Sequence, residues 1–164
     1  DEAYSLTRGG EKDFGRESID VIVKSMEDYK DQFVLILAGY PDEMDVFMSM
    51  NPGLPSRFPI QIDFPDYTLD QLIQIAELML KDREYVFMPQ TLMKFKQYIQ
   101  EEKARCPRGF SNARFVRNTI ERCVRQQAVR LLKQRSRTLT KQELMLICPE
   151  DLKLDDHEGH SIYL

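Results

Sequence analysis

Residues 33–39, FVLILAG, form a continuous apolar run of strand length with β-branched character. Such a run reads as a strand buried on both faces of a parallel sheet, because a half-buried strand would alternate apolar with polar positions. A strand of that kind cannot stand alone. One other good candidate exists, residues 58–64, where Phe58, Ile60, Ile62 and Phe64 alternate with Pro59, Gln61 and Asp63. Two strands do not close a sheet, so the expectation is an α/β layer whose remaining strands lie outside these 164 residues. An uncovered FVLILAG edge would invite aggregation and calls for a partner chain or segment.

Helical patterns surround these runs. Ile19, Ile22, Val23 and Met26 share one face of a predicted helix, and residues 42–50 suit a short one with Met44, Phe47 and Met48 turned inward before Asn51-Pro52-Gly53 breaks it. Residues 5–15, with Gly9, Gly10 and Gly15, read as a mobile loop. Past a hinge near Pro65-Asp66 the texture becomes all helical. Thr68 and Gln71 have capping-box spacing ahead of a stripe of Leu69, Leu72, Ile73, Ala76, Met79 and Leu80. A second helix is predicted from Pro89 with Leu92, Phe95, Tyr98 and Ile99, and a third over 111–132 burying Phe115, Val116, Ile120, Cys123 and Leu131. A short element at 141–147 and a turn at 149–152 end the ordered part, with no internal repeat.

Charge is unevenly spread. Residues 105–137 hold ten basic side chains, nine of them arginine, against Glu121 alone, so this stretch carries +9 of a net −4 and the remainder −13. Arginine forks onto phosphates and carboxylates, so such a stretch needs an anionic partner or an internal one. Cys106, Cys123 and Cys148 have no metal-like spacing and read as ordinary thiols, while His157 and His160 sit in a polar tail, 156–164. No apolar run has the roughly 18 residues of a membrane span and no signal-peptide layout is present, which points to a cytoplasmic protein.

Six segments occur in fixed order across about four fifths of the chain: DEAYSL, RGGEKDFG, ILAGYPDEMD, NPGLPSRFP, IDFPDY and FSNARFVRN. In this the sequence resembles the AAA+ ATPases, in the group that holds a sporulation ATPase and the red-type (CbbX-like) rubisco activases. The resemblance implies an α/β fold, part of a P-loop AAA+ core with a remnant of its parallel sheet over 1–66, followed by an all-α lid subdomain over 67–155.

It also implies roles. Asp1-Glu2 becomes the end of the Walker B strand, with Asp1 at Mg²⁺ and Glu2 activating water for attack on ATP. Two adjacent acids by themselves mark a solvated turn in most chains, so the implication rests on the downstream motifs. Tyr40 falls at the strand end that faces the γ-phosphate, where the family places asparagine or threonine. Arg57 in PSRFP falls at the arginine finger, a cation given to a neighbouring subunit's ATP; related proteins often add an arginine two residues earlier, where this chain has Pro55. Arg114 falls at the sensor arginine of the lid, with Arg117 about one turn on as its alternative. The loop carrying Arg8 and Lys12 matches a pore loop. No stretch fits G-x-x-x-x-G-K-[ST], so these residues alone are not expected to hydrolyse ATP.

The implied protein is an ATP hydrolase of a homo-oligomeric ring, a hexamer, which remodels an unidentified protein client and is tied to sporulation. A nucleic-acid-binding helical module is the alternative reading of the basic stretch, but the arginines at 114, 117, 122, 125 and 130 step by three, five, three and five, scattered around the helix, and no base-reading motif accompanies them. A non-catalytic docking module is the third.

Overall fold

The computed structural model describes residues 1–7, 14–30, 32–107, 109–133 and 138–153. Arg8, Gly9, Gly10, Lys12, His157 and His160 lie outside them. The chain divides into two units, Asp1–Phe64 and Pro65–Leu164, each with its own core.

In the first unit a 3-10 turn, Ala3–Thr7, occupies the beginning of the stretch read as a loop; α1 follows at Phe14–Asp28, α2 at Pro41–Ser49 and the four-residue α3 at Leu54–Arg57. The predicted apolar faces meet as expected. Ile19 of α1 and Phe47 of α2 are buried with Ala3, Tyr4 and Leu54, and Val23, Met44 and Met48 pack around them. Helix α2 starts without a side-chain cap, but Pro41 supplies a preset φ and Asp42 and Glu43 offset the positive helix end. Helix α3 was not expected from the sequence. Asn51 makes it, since its Oδ1 accepts the Gly53 N–H at 2.8 Å and turns the chain into Leu54.

Residues 33–39 and 58–64, read from the sequence as strands, form no strand among the described residues. Neither lies in a ladder, because a buried strand exists only where another strand satisfies its backbone, and the described residues supply none beside them. The side chains nonetheless alternate over 34–37: Leu35 and Leu37 are half-buried while Val34 and Ile36 are exposed. Residues 59–64 are exposed throughout, Phe64 to 91%.

The second unit is built from α4 at Leu69–Lys81, α5 at Pro89–Arg105 and α6 at Asn112–Lys133, with the short α7 at Lys141–Met145. The predicted capping box forms at Thr68: Gln71 N–H donates to its hydroxyl and its own N–H donates to Gln71 Oε1 at 2.9 Å. Thr140 and Glu143 repeat the device at α7. Leu72, Ile73, Ala76 and Leu80 of α4 meet Phe95, Tyr98 and Ile99 of α5 and Val116, Ile120 and Cys123 of α6 in one core; Leu131, expected inside, is half-buried at the helix end.

A two-stranded parallel sheet, β1 at Val86–Phe87 and β2 at Leu146–Ile147, joins the beginning of α5 to the end of the chain, with Val86 opposite Leu146. Two-residue strands carry no periodicity, so they are not legible in sequence. Side chains from two helices seal the β2 segment in place. Thr91 Oγ1 donates to Ile147 O at 2.9 Å, Gln127 Nε2 to Leu144 O at 2.7 Å, and Lys94 Nζ to Pro149 O at 3.0 Å and Leu152 O at 2.7 Å.

Candidate functional site

The Asp1-Glu2 pair leads directly into the 3-10 turn and is exposed. Glu2 adopts a left-handed backbone, φ 49°, which L-residues other than glycine and asparagine avoid because Cβ crowds the carbonyl. Its carbonyl accepts Ser5 N–H at 2.8 Å and its N–H donates to Asp1 Oδ1 at 2.9 Å. One residue on, Ala3 N–H donates to Ala38 O at 3.0 Å, which binds the start of the 3-10 turn to the end of the 33–39 run.

Packing reinforces that junction. The Tyr4 ring is buried in the space left by Gly39: a Cβ there would lie 2.7 Å from Tyr4 Cδ1 and 2.8 Å from Met44 Sδ. Tyr40, one residue further, is exposed, with its ring centroid 6.3 Å from that of Tyr4. Glu2 and Tyr40 therefore occupy adjoining segment ends, both open to solvent.

Arg57 is the last residue of α3. Its Nη1 donates to Gly53 O at 3.0 Å and its Nη2 pairs with Glu27 of α1. Glu27 was not singled out from the sequence, and no spacing rule could do so across 30 residues.

In the second unit, Arg114 stands in the first turn of α6 and Arg117 three residues on, both exposed. That turn holds no acid, so the positive helix end and Arg114 add rather than cancel. Asn112 opens the helix in the left-handed region, φ 47°, and is bound to the start of its unit: Nδ2 donates to Asp66 Oδ1 at 2.6 Å and Oδ1 accepts Tyr67 N–H at 3.0 Å. Lys103 Nζ adds a bond to Tyr67 O at 2.9 Å. The segment read as a hinge is thus held to the helix that carries both arginines.

Two arginines of the basic stretch pair with acids of their own chain and a third is hydrogen-bonded to a tyrosine. Arg105 pairs with Glu102, Arg122 Nη2 donates to Tyr98 Oη at 3.2 Å, and Arg130 forms a bidentate pair with buried Asp151 at 2.8 Å for both oxygens. The Arg130 guanidinium is held above its ordinary range chiefly by its hydrogen bond to Asp151. Burial pushes the Cys123 thiol up to about 12 and raises Cys148 as well, so neither is a poised nucleophile.

Among the described residues no group of three or more His, Cys, Asp or Glu side chains could hold a metal ion. Mg²⁺ commonly takes one or two carboxylates and completes its shell with water and phosphate oxygens, and Asp1 beside Glu2 fits that demand. No helix among the described residues is long and apolar enough to cross a membrane.

Comparison with known proteins identifies these segments. The family described as an AAA lid domain matches residues 68–161. Stage V sporulation protein K of Bacillus subtilis (strain 168) is 52% identical over 162 residues, 98% of this chain and 50% of that protein. A protein CfxQ homolog of Trieres chinensis is 42% identical over 153 residues, 93% of this chain and 52% of its own length. The chloroplastic ribulose bisphosphate carboxylase/oxygenase activase of Cyanidioschyzon merolae (strain NIES-3377 / 10D) matches at the same identity and shares. The chain spans about half the length of the curated relatives it matches. With its second unit matched to the AAA lid and at least 93% of its length aligned to these relatives, the chain belongs to the AAA+ ATPase family.

Proposed function

We propose that the protein carrying this chain is an ATP hydrolase that assembles as a homo-hexameric ring and spends ATP on remodelling a protein client, with ATP and Mg²⁺ as its cofactors. Residues 1–66 are the later part of its large α/β subdomain, 67–155 the lid, and 156–164 a polar tail. The observation that carries the reading is the junction at Ala3–Ala38, which sets the Glu2 carboxylate and the Tyr40 hydroxyl at adjoining, solvent-open segment ends.

Bound ATP supplies the phosphoryl bond, and Mg²⁺ offsets phosphate charge. Asp1 holds the metal. Glu2 orients the attacking water and accepts its proton, and its left-handed backbone sets the carboxylate apart from the core. Tyr40 takes the place of the usual amide or hydroxyl at the γ-phosphate. Arg57 is given to the nucleotide of the neighbouring subunit. Arg114, with Arg117 as its alternative, meets the phosphates from the lid, supported by the acid-free first turn of α6. Asn112 passes that contact to residues 66 and 67, so that nucleotide state moves the lid. Residues 1–164 without a phosphate-cradling glycine loop are not expected to turn ATP over.

The relatives' names speak of sporulation in one case and of rubisco activation in another, which supports a protein client and, for the 52% identical relative, a part in spore formation. The pairing of Arg105 with Glu102 and of Arg130 with Asp151 gives part of the basic stretch an internal partner, which favours this reading over a nucleic-acid interface.

ATP turnover by the full-length protein tests the assignment. Glu2→Gln and Arg57→Ala should each lower the rate by about 10³-fold, and a mixture of the two variants should recover activity, since a Glu2→Gln subunit still lends its finger to an Arg57→Ala neighbour with an intact Glu2. Turnover indifferent to both substitutions would overturn the roles.

A further inference from the structure

We infer that Glu27 is a positioning residue for Arg57: it holds the guanidinium within its own protomer and competes for it with the nucleotide phosphates of a neighbouring subunit. The inference rests on the proposed role of Arg57 and concerns how that side chain is withheld and released.

Of the four acids of helix α1, Glu17, Asp20, Glu27 and Asp28, the two at 20 and 27 are seven residues apart and therefore on one face two turns from each other. Both reach the same short segment. Asp20 Oδ1 accepts from Asn51 Nδ2 at 3.0 Å, while Glu27 pairs with Arg57 Nη2. Asn51 in turn fixes the Gly53 N–H, and the Gly53 carbonyl accepts Arg57 Nη1 at 3.0 Å. The guanidinium folds back so closely that a Cβ on Gly53 would lie 2.5 Å from Nη1. Only glycine leaves that space. Two of the three guanidinium nitrogens thus have partners in their own chain, although the pair stays accessible, with side-chain exposures of 27% for Arg57 and 59% for Glu27.

A carboxylate and a phosphate present the same kind of acceptor to the same planar fork, so they exclude one another. A finger paired with Glu27 offers a neutralised charge, and it must leave that carboxylate to act. An exposed pair of this type shifts an equilibrium by up to about fivefold. That is weak enough for a nucleotide with several negative charges to win, and strong enough to disfavour engagement of an empty or wrongly docked neighbour.

The test uses the full-length protein and reads ATP turnover against ATP concentration, together with binding of a fluorescent ATP analogue to the assembled ring. Glu27→Gln keeps the shape of an exposed side chain and removes its charge. It should lower the half-saturating ATP concentration by about two- to fivefold with kcat unchanged, and tighten analogue binding by the same factor. In an Arg57→Ala background the binding shift should vanish. No shift, a fall in kcat, or an equal shift in both backgrounds would overturn the inference. Arg57→Ala alone reports on the finger itself: if it leaves turnover intact, both readings fall, whereas its collapse beside an unaffected Glu27→Gln ring defeats the competition alone.

Discussion

Glu2 pays for its left-handed backbone with roughly 1–2 kcal/mol. Glu2→Gly is therefore expected to stabilise the first unit by up to about 1 kcal/mol in urea unfolding while abolishing turnover, which separates backbone strain from carboxylate chemistry. The two constrained glycines differ in what they would disturb. Gly39→Ala forces a methyl into the buried Tyr4 ring and should cost about 1–3 kcal/mol. Gly53→Ala displaces the far end of the Arg57 side chain and presses on Asn51 Oδ1, 3.1 Å from the added Cβ, so ATP half-saturation should move in the same direction as in Glu27→Gln at a stability cost of about 1 kcal/mol. The thiols separate by burial: alkylation at neutral pH should modify exposed Cys106 and spare Cys123. Because burial raises Cys123 from an ordinary 9.0 to about 12, its contribution to stability is intact below pH 9 and is lost as pH rises toward 12. Cys123→Ala should flatten that alkaline decline in thermal melts.

At the scale of elements, the periodic helices were readable and the polar ties between them were not. The stripes on α1, α4, α5 and α6 and the Thr68 capping box all form, because apolar spacing of 3.6 and a local N-cap need only neighbouring residues. The closure of the second unit depends on Arg130 of α6 meeting Asp151, which also accepts the Cys148 N–H at 2.8 Å. Asp151 is 1% exposed, so Arg130→Met strands a buried carboxylate and should cost about 3 kcal/mol, measured by chemical unfolding. The basic stretch gave no sign of this pairing, since the acid lies 21 residues away. Arg57 was named from its motif, but its partner on α1 is likewise a product of tertiary contact.

At the scale of the molecule, the two units differ in self-sufficiency. Among the described residues the second encloses twelve buried apolar side chains, contributed by α4, α5, α6, β2 and Leu152. Residues 65–153 expressed alone are expected to unfold in one cooperative step with a stability of about 5–10 kcal/mol. The first unit leaves Val34, Ile36, Ile60, Ile62 and Phe64 exposed, and residues 1–64 alone should aggregate, as light scattering would report.

By itself the sequence determined the periodic helices, the cap of α4 at Thr68, and, through motif order, that the chain belongs with the AAA+ ATPases. Those properties depend on spacing along the chain. Tertiary structure alone decided that Ala3 meets Ala38, that Arg57 rests on Glu27, that Asn112 grips Asp66 and Tyr67, and that Arg130 closes on Asp151. Each of these joins groups 21 to 46 residues apart. A polar side chain chooses its partner by geometry within about 3 Å, and that geometry exists only once the helices have packed.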